Sequence, residues 1–201
     1  MIAIIDYGVG NVRAVANMLK RVGAESVITN KIEEIASASK LILPGVGAFD
    51  TAMHQLKRLG LYHVLNDKAL VEKVPVLGIC LGMQLLTYGS EEGKEKGLGW
   101  IPAYTYKFSN NIGFKVPHMK WSYVEPVQSS ALTDNMQPLS KFYFVHSYFV
   151  KAEDEAHSIL QTEYGNRFDA AVQKENIYGV QFHPEKSHKY GMQVLSNFAN
   201  L

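Results

Sequence analysis

Cysteine is all but missing from this chain: Cys80 is the one in 201 residues, so no internal disulfide can form. An excess of either charge is missing too. Lys and Arg number 20 against 19 Asp and Glu, a formal net charge of +1, and that balance offers no field to recruit nucleic acid or an anionic membrane. Long apolar runs are absent, no window approaching the roughly 18 residues of a membrane span. The opening MIAIIDYGVGN lacks the basic stretch and apolar core of a secretory leader. The expectation is a cytosolic protein. There is no H-x-x-x-H or Cys-His ligand spacing, hence no expected metal. The Asp6-Tyr-Gly-x-Gly-Asn11 turn has neither G-x-G-x-x-G nor G-K-[ST] spacing, hence no expected cofactor. Without repeats, low-complexity tracts or linkers, residues 1–201 read as one domain with no room for a second catalytic one.

What is present alternates. Ile2–Asp6, Val27–Thr29, Leu41–Leu43 and Val76–Ile79 read as short buried strands. Between and after them, helices are expected at Val12–Val22, Ile32–Ala38, Phe49–Leu59, Leu61–Glu72 and Leu81–Tyr88. Such alternation implies βαβ units and a parallel sheet. The second half changes texture, with strands expected at Tyr104–Phe108, Val116, Ser122–Pro126, Lys141–Val150, Ser158–Glu163 and Ala170–Lys174, much of it antiparallel. Ile177–Phe182 is a last apolar run, and Tyr190–Leu201 closes as an amphipathic helix. The fold class is therefore α/β: a mixed, mostly parallel central sheet flanked by helices.

A lone cysteine is by default an inert core residue. Gly78-Ile-Cys80-Leu-Gly82 reverses that default, because a reactive side chain on a sharp strand-to-helix turn needs small residues two before and two after it, where the two backbones approach closely. At the start of a helix, unpaired N–H groups and the macrodipole favour an anionic sulfur. The amide of Leu81 then points where an oxyanion would form.

A base with its orienting carboxylate is supplied by Gly179-Val-Gln-Phe-His183-Pro184-Glu185. Residues i and i+2 of an extended segment face one way, and Pro184 disfavours helix at His183. Glu185 can fix the imidazole tautomer through one nitrogen while the other takes the Cys80 proton and returns it to a leaving group. Alone, an H-P-E tripeptide is a surface turn; beside Cys80 it completes a triad.

Several segments occur together in order: Asp6-Tyr-Gly-x-Gly-Asn11, Leu43-Pro-Gly-Val-Gly-Ala-Phe49, Gly78-Ile-Cys-Leu-Gly-Met-Gln84, Ser90-Glu-Glu-Gly93, Tyr143-Phe-Val-His-Ser-Tyr148 and Gly179-Val-Gln-Phe-His-Pro-Glu-Lys-Ser187. Over nearly its whole length the chain thereby resembles the class I, triad-type glutamine amidotransferases of flavodoxin-like fold. Within them it resembles most the glutaminase subunits of imidazole glycerol phosphate synthase. The resemblance implies that Gln84, Glu92, Ser147 and Tyr148 line a pocket for L-glutamine, Glu92 facing the substrate amino group. It implies that Gly45, Val46 and Gly47, with Leu81, form the oxyanion hole after a peptide reorients. The partner it implies is a (β/α)8-barrel synthase subunit, joined in a heterodimer with an ammonia channel and met through Asn11, Trp121, Tyr143 and Lys186. The product would be imidazole glycerol phosphate and AICAR in histidine biosynthesis.

One segment departs from the family pattern. Where Pro-His-Met-Gly-Trp-Asn is usual, the chain has Pro117-His-Met-Lys120-Trp-Ser122, a change expected to edit the interface while leaving the triad intact. That departure fits a paralogue whose ammonia goes into amidino-sugars of surface polysaccharide. Two further alternatives are a stand-alone cysteine hydrolase and a non-catalytic regulatory partner. The first needs a water-open acceptor pocket and no partner; the second should have lost a triad member.

Overall fold

The computed structural model describes residues 1–109 and 113–201. In chain order the strands are β1 (Ile2–Ile5), β2 (Ser26–Thr29), β3 (Lys40–Gly45), β4 (Val76–Cys80), β5 (Ala103–Lys107), β6 (His118–Tyr123), β7 (Glu125–Pro126), β8 (Lys141–His146), β9 (Tyr148–Ala152), β10 (Ser158–Tyr164), β11 (Asn166–Lys174) and β12 (Ile177–Val180). The α-helices are α1 (Val12–Arg21), α2 (Ile32–Ser37), α3 (Phe49–Arg58), α4 (Leu61–Asn66), α5 (Leu81–Leu85) and α6 (His188–Asn200).

Among the described residues, eight strands form the main sheet in the order β2-β1-β3-β4-β12-β11-β10-β7. From β2 to β12 every pairing is parallel; from β12 to β7 every pairing is antiparallel. The expected mixed sheet is therefore present, its parallel half built from the alternating first part of the sequence. Strands buried on both faces read as continuous apolar runs, and here successive residues serve opposite cores. Ile4, Ile42, Leu77 and Ile79 pack with Val15 and Leu19 of α1 and Leu195 and Phe198 of α6. Ala3, Ile5, Leu41, Leu43 and Val76 pack with Phe49, Met53 and Leu56 of α3 and with α4 and α5. The helices present matching stripes: Val15, Met18 and Leu19 on α1, and Phe49, Ala52, Met53 and Leu56 on α3, the spacing of one helical face.

Four expectations are corrected. Lys141–Val150 is two strands, not one: β8 pairs with β6, β9 with β5, and the chain bends at Ser147 between them. Val116 lies in a bend, and β6 starts at His118, ahead of the expected Ser122. Leu61–Glu72 is a short α-helix followed by a π-helical turn, Asp67–Val71. The wider turn carries Lys68 inward, where Nζ donates to the Ala36 carbonyl at 2.8 Å and meets Glu72 at 2.5 Å. Finally, α5 ends at Leu85, short of Tyr88.

The parallel strands matter most for what their carboxyl ends carry, the edge where open α/β sheets bind ligands. Gly45 ends β3 opposite Cys80, the last residue of β4, and β12 delivers His183 three residues beyond Val180 on the other side of β4.

Candidate active site

Cys80 sits at the β4–α5 junction with φ 55 and ψ −109, a left-handed conformation that costs a side-chain-bearing residue about 1–3 kcal/mol. The flanking glycines make the turn possible. A Cβ on Gly78 would lie 2.6 Å from the Gly82 carbonyl oxygen, and one on Gly82 would collide with the Leu43 carbonyl. The strain holds the thiol at the head of α5, 6 % exposed.

Across β12, His183 is extended, and Pro184–Lys186 forms a 3-10 turn rather than the straight continuation expected from the sequence. The turn, not strand alternation, brings Glu185 back to its neighbour. His183 Nδ1 lies 2.8 Å from Glu185 Oε1, with both side chains 2 % exposed. The other ring nitrogen, Nε2, is buried and makes no hydrogen bond. Cys80 is near enough to act on it yet outside full bonding geometry, as is common before substrate tightens such contacts. Burial pushes the imidazole pKa down, but the nearness of the Cys80 sulfur and the hydrogen bond and charge of Glu185 outweigh it and raise the value to about 10. At neutral pH this histidine is a cation fixed by a carboxylate on one side and aimed at sulfur on the other.

Of the three, Cys80 opens onto a cavity of about 390 Å³ lined by Val46, Gly47, Cys80, Leu81, Gln84, Glu92, Pro117, Val145, His146, Ser147 and Tyr148. Gln84, Glu92, Ser147 and Tyr148, which the sequence resemblance singled out, are thus brought together beside the thiol. Glu92 is placed by the start of α3, where its Oε2 accepts from the Phe49 amide at 3.0 Å. Gln84 donates Nε2 to the Tyr148 carbonyl at 3.1 Å and to Gln181 Oε1 at 3.3 Å, which leaves its own oxygen uncommitted by these two bonds. Of the expected oxyanion residues, Val46, Gly47 and Leu81 line the cavity. Gly45 lies behind it, closing on the phenol of Tyr7. The Tyr7 hydroxyl is buried without a partner, and its pKa is raised by burial and by the charge of Cys80.

A model of the family described as glutamine amidotransferase class-I matches residues 3–200. The chain belongs to the class I glutamine amidotransferases. Among curated members, it is 57 % identical over 198 residues to imidazole glycerol phosphate synthase subunit HisH 2 of Methanococcus maripaludis, covering 98 % of each chain. It is 49 % identical over 201 residues to the subunit HisH 2 of Pseudomonas aeruginosa, covering 100 % of both. A crystal structure described as glutamine amidotransferase superposes with a TM-score of 0.74 at 19 % identity, covering 100 % of this chain and 99 % of the other. The amidotransferase fold is therefore shared well beyond sequence likeness.

Within this amidotransferase, three of the four residues expected at a partner interface form one outer patch. Trp121 and Tyr143 face each other across β6 and β8, and Lys186 Nζ lies 5.8 Å from the Tyr143 ring. Asn11 instead caps α1, its Oδ1 accepting from the Ala14 amide, and α1 packs against the Pro184–Lys186 turn. Of the two departures from the family pattern, Lys120 is exposed on the face of β6 that also carries His118 and Ser122, with Nζ 5.1 Å from the centre of the Tyr164 ring. Ser122 is not on the outer face at all: 7 % exposed, it places Oγ 2.9 Å from His118 Nε2.

Sequence reading missed two features. Gln181 is fully buried and directs Nε2 toward Cys80 Sγ at 3.8 Å; its position two before His183, on the same side of an extended segment, was the available signal. His118 and His146 are cross-strand partners whose rings meet inside the protein at 3.0 Å. No local spacing announces them, because only the pairing of β6 with β8 brings them together. Among the described residues no His, Cys, Asp and Glu cluster suits a metal ion, and no helix is long and apolar enough to cross a membrane.

Proposed function

We propose that the chain is the glutaminase subunit of an imidazole glycerol phosphate synthase, releasing ammonia from L-glutamine at Cys80 and passing it to a synthase subunit in histidine biosynthesis. The observation that carries the reading is the strained Cys80 thiol beside the buried His183–Glu185 pair, opening on a cavity lined by Gln84, Glu92, Ser147 and Tyr148. The names of the relatives support the pathway. The match across residues 3–200 supports taking the chain as one glutaminase domain, and a lone reactive thiol suits the reducing cytosol.

In this mechanism, sulfur attacks the side-chain amide carbon, and the tetrahedral oxyanion is met by the Leu81 amide and the Val46–Gly47 loop. His183 gives its proton to the nitrogen as the C–N bond breaks, so ammonia leaves and a γ-glutamyl thioester remains. Water then adds to that carbonyl with His183 as base. The C–S bond breaks, glutamate leaves, and Cys80 is freed beside a His183 that again carries its proton. The acceptor site belongs to the partner, a (β/α)8-barrel in the family this chain resembles.

Replacing Cys80 with alanine is expected to abolish synthesis driven by glutamine while sparing synthesis driven by added ammonia in the complex. Loss of both activities would sink the division of labour. A second reading, ammonia supply to an amidino-sugar, is favoured by Lys120, exposed on β6 where glycine is usual in the family; under it the ammonia-driven activity that Cys80→Ala spares would appear only with a sugar acceptor.

A further inference from the structure

Behind the glutamine pocket runs a chain of buried hydrogen bonds whose direction is set by one group. A carbonyl oxygen can only accept, so the 2.8 Å contact between His146 Nδ1 and the Tyr148 carbonyl requires a proton on Nδ1. Burial, aided by the nearness of His118, holds the His146 pKa down at about 3; burial and Lys120 hold that of His118 at about 4. Both rings are neutral at pH 7, one proton each. With Nδ1 protonated, His146 Nε2 is an acceptor, so His118 Nδ1 must donate across their 3.0 Å contact. His118 Nε2 is then an acceptor in turn, and the Ser122 hydroxyl, 2.9 Å away, must donate to it.

The far end of the chain is the pocket. The Tyr148 carbonyl takes a second hydrogen bond from Gln84 Nε2, which also donates to Gln181, whose own amide points at Cys80 Sγ. Both lone pairs of that carbonyl are filled, which fixes the Gln84 amide. Without the Ser122 donor, His118 Nε2 is a buried acceptor with no partner, and moving the proton onto it would leave a buried donor equally unmet, so the ring loses its anchor at that end. Shifting the proton in both rings reverses every link and takes the His146 donor from Tyr148.

Resting on the reading of this cavity as the glutamine site, we propose that Ser122, His118 and His146 are positioning residues, a one-directional relay that holds the Tyr148 carbonyl and the Gln84 amide in place for substrate. None of the three moves a proton in the reaction. The relay starts on β6, whose outward neighbours Trp121 and Tyr123 are exposed, so the inner and outer faces of this strand are tied to the pocket together. It also gives Ser122 a role that needs a donor, which the asparagine usual in the family supplies as well.

The test has two arms, run on the chain alone and in complex with its synthase subunit. Nitrogen-15 spectra of the imidazole rings should show both His118 and His146 as Nδ1–H tautomers, and Ser122→Ala should move the His118 Nε2 signal downfield as its hydrogen bond is lost. In glutamine hydrolysis, Ser122→Ala should raise KM on the order of tenfold with kcat little changed, as loss of ground-state positioning does. Ser122→Thr, which keeps the hydroxyl, should restore both the KM and the spectrum. A wild-type Nε2–H tautomer in either ring, or a wild-type KM in Ser122→Ala, overturns the relay. A wild-type complex that turns over no glutamine overturns the pocket reading with it, and rings still in the assigned tautomers would locate the fault in that reading.

Discussion

His183 is pulled in opposite directions, downward by burial and upward by Cys80 and Glu185, and the upward pull prevails at about 10 from an ordinary 6.5. The sign of the stability linkage follows directly. Below about 6.5 the imidazole is charged in folded and unfolded chains alike, and the ion pair contributes fully. Between 6.5 and 10 only the folded chain keeps the proton, so stability falls as pH rises through that window. Glu185→Gln removes one upward influence and lowers the folded pKa. The expected result is a shallower alkaline fall in unfolding free energy and an alkaline limb of kcat/KM displaced to lower pH. Urea titrations and initial rates at a series of pH values would check both, and a limb that stays in place would mean that the group titrating there is not His183.

At the scale of elements, the turn at β4–α5 depends on glycine for space rather than for backbone freedom. Gly78→Ala places a methyl 2.6 Å from the Gly82 carbonyl and 2.8 Å from the Met83 amide, so α5 must lift away from β4. A cost of about 1–3 kcal/mol is expected in urea unfolding, together with a loss of glutamine turnover larger than that destabilisation explains. Gly23→Ala is the control: its φ is 78 and nothing lies within 4 Å of an added Cβ, so a cost of about 1–2 kcal/mol should come with unchanged turnover. Equal turnover losses in the two variants would refute a role specific to the elbow. This junction was legible because its constraint is local, small residues two either side of Cys80. The break at Ser147 was not, since Lys141-Phe-Tyr-Phe-Val-His-Ser-Tyr-Phe-Val has neither glycine nor proline to mark a turn. Its two halves part because they pair with β6 and β5, segments far away in the chain. The same non-local pairing hid the His118–His146 contact, while the inward Lys68 was hidden by a π-helical turn that helical periodicity does not signal. His183 and Glu185 were legible as a pair, though a 3-10 turn rather than an extended strand joins them.

For the whole molecule, the question is how a partner's arrival reaches the base, and the outer patch lies one hydrogen bond from it. Trp121 stacks on His188 with ring centres 5.5 Å apart and planes 3° from parallel, while Lys141 Nζ sits 5.9 Å from the Trp121 ring centre. Behind them the Tyr143 backbone is clamped: its carbonyl accepts from the His183 amide at 3.0 Å, and its amide donates to Ser187 Oγ at 3.0 Å. Ser187 Oγ in turn donates to the His183 carbonyl at 2.6 Å. A subunit docking on Trp121 and Tyr143 therefore presses on the strand that holds His183, and the isolated chain should hydrolyse glutamine slowly until it docks. Half-exposed aromatic anchors of this kind carry binding energy on the order of 2 kcal/mol when central to an interface. Trp121→Ala is expected to weaken association with the synthase subunit about 30-fold and to reduce the acceleration of glutamine turnover at a fixed subunit concentration. Cys80→Ala, at a residue that is 6 % exposed and lines the cavity rather than the patch, should bind as tightly as the wild type. Calorimetric titration of each variant with the synthase subunit separates the two effects. Unchanged affinity in Trp121→Ala would move the docking face elsewhere, and turnover that is fast without any partner would mean that His183 is already fully placed.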